Sequence, residues 1–192
     1  MLKKMFVVLL IAVVAVVVLL SVAIKQLEQR PVQLAQPYFN LQAGSSARSL
    51  CQQWLVQGQL KAYDCYLLRL YLKWQPELAQ LRQGTYRTPA DATLLSLLRL
   101  FASGEVAQFS LTFIEGETVQ QALLRLQAAE HLQQDISSTR QMLALLSWPA
   151  DWGAPPQHPE GLLFADTYFY TANSTASELV ERAQQAMLRQ LE

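Results

Sequence analysis

Phe6 to Ile24 is a run of nineteen residues without a charge and with Ser21 as its only polar side chain. As a helix it is long enough to cross a hydrocarbon core of about 30 Å. A chain that opens this way predicts a membrane-attached protein. Lys3 and Lys4 precede the run, a bias that favours a cytoplasmic N-terminus and places everything after Lys25 on the far side of the membrane. Ser21-Val22-Ala23 has the small residues of a signal-peptide cleavage site, but the run exceeds the roughly 7 to 15 residues of a signal core. The expectation is an uncleaved, single-pass anchor.

The chain beyond the anchor is long enough to bury a core, since 52% of the 192 residues are hydrophobic. Removing residues 1 to 30 takes away four of the fifteen basic residues and one of the fifteen acidic ones. The remainder, with eleven against fourteen, is mildly acidic, which argues against nucleic acid as a partner. Residues 31 to 100 carry seven Lys or Arg against three acids, and residues 101 to 192 carry four against eleven. The basic part lies next to the anchor.

Local patterns give the order of elements. Tyr38 to Leu41 reads as a strand, ended by Gly44-Ser45-Ser46, which also supplies a helix cap. Leu50, Trp54 and Leu55 share one face of the next helix, and Gly58 stops it. A second helix is expected from Asp64 as N-cap to Trp74, with Leu67, Leu68, Tyr71 and Leu72 apolar at helical spacing, before a strand at Gly84 to Arg87. Asp91 or Thr93 caps a third helix whose Leu94, Leu97, Leu98 and Phe101 repeat at i, i+3, i+4 and i+7.

In the second half, Phe109, Leu111 and Phe113 alternate with Gln108, Ser110 and Thr112 as in a half-buried strand. A helix with Val119, Ala122, Leu123 and Leu126 on its buried face comes next. Glu115 and Glu117 lie near its N-terminus, where the helix dipole favours negative charge. A short helix or two are expected within Leu132 to Leu146, a loop from Trp148 to His158, and a last amphipathic helix through Leu179, Val180, Ala183, Met187 and Leu191. Between loop and helix stands Pro159 to Tyr170, in which Glu160 and Asp166 are set among Leu162, Leu163, Phe164, Tyr168, Phe169 and Tyr170. Two carboxylates in apolar company form a candidate site.

Gly44 to Leu55, Leu81 to Arg87, Phe109 to Thr118 and Pro159 to Tyr168 read G-S-S-A-R-S-L-C-Q-Q-W-L, L-R-Q-G-T-Y-R, F-S-L-T-F-I-E-G-E-T and P-E-G-L-L-F-A-D-T-Y. Together, in this order and behind an anchor, they resemble the YceG-like family of endolytic murein transglycosylases, the MltG enzymes. The resemblance implies an α+β protein in three parts. Residues 1 to 30 are the transmembrane anchor and its flanks. Residues 31 to 107 form a β-α-α-β unit similar to the glycan-binding LysM module, with a further helix after it, and residues 108 to 192 form the N-terminal part of a mixed α/β catalytic domain.

The activity so implied is cleavage of β-1,4 bonds between N-acetylmuramic acid and N-acetylglucosamine. A single glutamic acid protonates the leaving oxygen and then takes the proton of the muramic C6 hydroxyl, closing a 1,6-anhydro ring. In the family this glutamate belongs to an Ile-Glu-Lys-Glu motif C-terminal to the matched part, and none occurs before Glu192, so the catalytic residue is expected beyond Glu192. Glu160, Phe164, Asp166, Thr167 and Tyr168 match a motif that lines the substrate groove, and Ala165 stands where the family usually has proline. A non-catalytic, membrane-anchored glycan-binding or scaffold protein is the alternative reading.

The implied partners are peptidoglycan strands, the bacterial inner membrane with the body in the periplasm, and cell-wall synthases. An older label for such sequences, a pyridoxal-phosphate lyase, would leave only Lys61 and Lys73 past the anchor edge for a Schiff base, without a phosphate loop, so no cofactor is expected. His131 and His158 belong to no ligand motif, and no metal is expected either. Cys51 and Cys65 are the only cysteines, and an oxidising compartment permits a disulfide. Two small buried thiols are the favoured expectation.

Overall fold

A computed structural model describes residues 2–191. The chain is α+β, with seven α-helices among the described residues and two small sheets of two strands each. It divides into two compact units between Val106 and Ala107.

The first unit begins with helix α1 (Leu2–Glu28). Its stretch from Met5 to Glu28 has a mean hydropathy of 3.5 over its most apolar window, and none of that window is buried. It is long and apolar enough to cross a membrane. The apolar surface runs all round, as lipid requires and water does not. The character changes at the C-terminal end, where Leu27 is buried in the same core as Val32, Leu50 and Trp54. The helix is thus continuous with the body of the unit.

Strands β1 (Tyr38–Leu41) and β2 (Gly84–Arg87) pair antiparallel, Tyr38 opposite Arg87 and Leu41 opposite Gly84. Between them in sequence lie α2 (Ala47–Val56) and α3 (Ala62–Trp74), the strand-helix-helix-strand order expected. Ser46 caps α2 by accepting from the Ser49 N–H, while Ser49 Oγ accepts from the Ser46 N–H at 2.9 Å. Helix α3 starts earlier than its sequence suggests. Asp64 is not its N-cap but lies in the first turn, where Oδ2 reaches back to the Lys61 N–H at 2.9 Å and Oδ1 accepts from Arg30 Nε at 3.0 Å.

Cys51 of α2 and Cys65 of α3 are joined in a disulfide. This corrects the expectation of two free thiols. Both residues face the narrow space between two packed helices, which brings their Cα atoms to 5.8 Å, within the range a disulfide needs. Helix α4 (Leu94–Ser103), capped by Thr93 rather than Asp91 and ended by Gly104, buries Leu94, Leu95, Leu97, Leu98 and Phe101. Phe101 stacks on Phe39 at 5.3 Å and meets Tyr86 at 5.0 Å. This helix is the spine of the unit.

The second unit pairs β3 (Gln108–Thr112) with β4 (Thr167–Thr171), antiparallel, Gln108 opposite Thr171 and Thr112 opposite Thr167. Alternation puts Leu111, Tyr168 and Tyr170 into a core shared with α5 (Val119–Gln127), α6 (Thr139–Leu145) and α7 (Ala176–Leu191). Thr118 caps α5 with Gln121 completing the box. Between Leu132 and Leu146 only α6 is a regular helix. The preceding stretch is extended instead, and Gln133 bridges Thr175 in parallel fashion. The loop before the site contains one short 3₁₀ turn, Ala150–Trp152.

Candidate functional site

Two turns of the second unit form the walls of one groove. The first comes after β3, where Ile114 C=O accepts from the Glu117 N–H at 3.3 Å with Gly116 at φ 78°. The second comes after the long loop, where Pro159 C=O accepts from the Leu162 N–H at 3.3 Å with Gly161 at φ 75°. A positive φ at the third position of a tight turn is what glycine supplies without strain. An alanine Cβ would meet nothing within 4 Å at either place, so backbone conformation rather than space selects glycine there.

The turns meet at the N-terminus of α5. Both Glu160 oxygens accept from the Val119 N–H, at 3.0 and 3.2 Å, so a carboxylate from 41 residues downstream satisfies the first free donor of the helix. The acids nearest in sequence are used differently. Glu117 accepts from the Ile114 N–H at 3.2 Å and pairs with Arg125 at 3.0 Å, while Glu115 stands exposed at the rim. Sequence proximity to the helix suggested Glu115 and Glu117 as its dipole partners; the long-range Glu160 holds that place.

The open groove so formed has a volume of about 490 Å³. Glu115, Glu117, Glu160 and Thr118 supply its polar side chains, and Phe113, Phe164 and Met187 supply apolar surface. Met187 comes from α7, which also receives the loop directly, for Ala183 C=O accepts from the Phe164 N–H at 3.1 Å. Ala165 lines the groove as well. With proline absent there, hydrogen bonds on either side fix the turn: Phe113 N–H donates to Asp166 C=O at 3.0 Å, and Tyr168 Oη donates to Phe164 C=O at 2.9 Å.

Of the five residues singled out in the sequence, Glu160 and Phe164 reach the groove and the other three support it from behind. Asp166 is exposed and its Oδ1 accepts from the Thr167 N–H at 2.7 Å. Thr167 Oγ1 meets Thr112 Oγ1 across the sheet at 2.8 Å. Tyr168 is buried against Phe113, ring centroids 5.6 Å apart. Burial pushes its phenol up, Asp166 adds to this, and Arg189 and Arg182 oppose it, so the hydroxyl remains a donor to Phe164. Glu160 is exposed, with both oxygens on a backbone N–H. That is the placement of an anchor for the loop, not of a buried proton donor.

The first unit has an open cavity of its own, about 450 Å³, where Gln33, Gln53, Gln57 and Gln59 gather around Tyr38 and Phe39. Amides beside aromatic rings offer donors, acceptors and flat apolar faces together. Among the described residues no three His, Cys, Asp or Glu side chains come together as a metal ion would need.

These features define an α+β protein with an apolar N-terminal helix, a strand-helix-helix-strand unit and a groove built by two glycine turns. The YceG-like family profile matches residues 39–192, and the chain belongs to that family. Among solved structures, the 2.6 Å crystal structure of a yceG-like protein from Listeria monocytogenes aligns at 18% identity with a TM-score of 0.34. The alignment covers 80% of this chain and 55% of that one, so the chain spans about half the length of its structural relative. No curated protein matches the sequence.

Proposed function

We propose that this chain supplies the anchor, a glycan-binding unit and part of the substrate groove of a lytic transglycosylase acting on the MurNAc-GlcNAc β-1,4 bonds of peptidoglycan. The observation that carries the reading is convergence. Phe113 to Thr118 from one family-like motif, and Glu160, Gly161 and Leu163 to Ala165 from a second, line a single groove. Its mixture of carboxylates and apolar side chains suits a sugar chain, whose hydroxyls donate to carboxylates and whose ring faces lie on apolar surface. The amide-lined cavity of the LysM-like unit is a second place for the same polymer. The N-terminus lies in the cytoplasm, α1 spans the inner membrane, and the body works in the periplasm.

Within residues 1–192 we assign no acid–base residue. General acid–base catalysis contributes about 10² to 10⁴-fold, so residues 31–192 alone bind sacculi weakly, if at all, and release no 1,6-anhydromuropeptides. Incubating that fragment with intact sacculi and examining the soluble products by mass spectrometry tests both halves of the statement. Anhydro products that vanish with Glu160→Gln would make Glu160 the acid and overturn the assignment. The second reading is a binding or scaffold protein, favoured by two glycan-suited openings, the groove and the amide-lined cavity, without an assigned acid. Binding without anhydro products, also in a protein that carries the family's Ile-Glu-Lys-Glu motif, establishes it.

A further inference from the structure

Helix α3 leaves one face uncovered. Tyr63 is 45% exposed, Tyr66 64%, Leu70 37% and Trp74 85%. At 3.6 residues per turn these four fall within an arc of about 80°, so they form one stripe along the helix. The opposite face, with Leu68 and Asp64, is buried in the first unit. Lys61 stands at the start of the helix, and Arg69 and Lys73 flank the stripe, all exposed. The only acid within the helix is Asp64, buried and paired with Arg30. The exposed face is therefore aromatic, aliphatic and cationic.

Beside the stripe, α2 and α3 enclose an apolar slot of about 340 Å³ lined by Leu55, Leu68, Leu72 and Tyr66, with Arg48 on one helix and Arg69 on the other. Helix α3 is tied to the apolar segment directly, and α2 is tied to α3 by the Cys51–Cys65 disulfide. Arg30, two residues beyond the end of α1, donates to Asp64 of α3 at 3.0 Å, and its guanidinium lies 5.2 Å from the Tyr63 ring centre. Glu28 of α1 pairs with Arg99 of α4 at 3.5 Å, and Leu27 is buried with Leu68 in one core.

We propose that the α3 face rests in the headgroup layer of an anionic bilayer, the same bilayer that α1 crosses. Tyrosine and tryptophan settle at the membrane–water boundary because the ring is apolar and its polar group stays wet. Each nearby Lys or Arg adds attraction to anionic lipid. Among the described residues Arg48, Arg69 and Lys73 form no ion pair, and their charge is complementary to an anionic headgroup layer; Glu77, just beyond Trp74, is the nearest exposed acid in sequence. The slot takes apolar lipid surface between two arginines placed for phosphate. Because the first unit is continuous with α1, docking costs little translational freedom and fixes which way the unit faces.

This inference rests on the reading of α1 as a membrane span, and reconstitution separates the two. The full chain carrying Leu70→Cys is labelled with an environment-sensitive fluorophore and placed in phosphatidylcholine nanodiscs, with and without phosphatidylglycerol, containing nitroxide headgroup lipid. The same label at Gln42→Cys serves as reference. The expected result is quenching at position 70 well above that at 42, in the anionic discs, with the docked-to-free ratio falling about fivefold for each of Arg48→Gln, Arg69→Gln and Lys73→Gln. These three side chains are outside the core, and unchanged melting of the variants checks that the fold is intact.

Quenching at 70 no greater than at 42, or equal in neutral and anionic discs, overturns the proposal. So does shielding of the label that appears only on adding peptidoglycan fragments, which would make the stripe a sugar platform. Extraction of the chain from membranes by alkaline carbonate would defeat the reading of α1 instead, and is scored apart from the quenching.

Discussion

The two units bury cores of similar size but close them by different means. In the first, the elements are held by a disulfide between α2 and α3, a buried ion pair at Asp64 and a spine helix whose apolar face is wholly covered. In the second, loops are pinned to helices by small sets of hydrogen bonds. Glu160 holds the α5 N-terminus, Asp135 holds the Ser177 N–H at 3.0 Å, Ala183 takes the Phe164 N–H, and Gln184 bonds to the Ser147 backbone. Rigid platforms tolerate cross-links. The groove is walled by loops, whose local stability is set by a few such bonds.

The largest effect that would test this contrast comes from the disulfide. Cys51→Ser with Cys65→Ser opens a loop of about fifteen residues, worth about 3 kcal/mol in the loop-entropy account. For a unit of about 100 residues this lowers its melting temperature by roughly 12 to 24 °C. Hydrogen exchange coupled to mass spectrometry shows the loss in α2, α3 and α4, with α5 to α7 unchanged. Equal loss in both units would mean that they unfold as one, and the contrast would fall.

A smaller effect, confined to the other unit, is expected at the groove. Glu160→Ala removes the acceptor from the Val119 N–H and costs about 1 kcal/mol, as loss of a helix cap does. The loss is confined to the second unit. Exchange should quicken at Val119 and through residues 159–164 while the first unit keeps its protection. Glu160→Gln, which keeps one acceptor oxygen, should recover part of it; if Gln behaves as badly as Ala, the charge and not the hydrogen bond holds the loop.

Elements whose cause is local were readable from the chain alone. The repeat of Leu94, Leu97, Leu98 and Phe101 marks α4, with Asp91 or Thr93 at its start and Gly104 at its end, and the alternation through Leu111 marks β3; the structure selects Thr93. Contact across long separations escaped. The early start of α3 depends on Asp64 serving Lys61 and Arg30 together, and Arg30 is 34 residues away. No spacing rule brings Cys51 to Cys65 or Glu160 to Val119. The groove was partly legible, since Glu160 and Phe164 line it, but Asp166 and Tyr168 look alike in sequence and act behind it. Glu160 and Phe164 belong to the turn and loop that wall the groove, whereas Tyr168 is already in β4 and buried against Phe113. Met187 gave no signal as a lining residue because its helical spacing marks it equally as core.

The smallest effect concerns acid. Partial burial pushes Asp135 upward, but the Ser177 hydroxyl and N–H, joined by the backbone N–H groups of Asp135 and Ala176, outweigh it and hold the carboxyl below its ordinary value. A group lowered in the folded state favours folding above its unfolded pKa of about 3.9, and this contribution disappears as pH falls through the folded value. The second unit should therefore lose a little stability below about pH 4 as the link between Asp135 and the start of α7 is protonated. Asp135→Asn removes that dependence: the variant is less stable than the parent at neutral pH, and the gap narrows in acid. Urea unfolding of the second unit at about pH 7 and at successive steps below about pH 4 checks it. A gap that stays constant would show that Asp135 contributes by shape alone, and that loop pinning in this unit is not carried by charge at this end of α7.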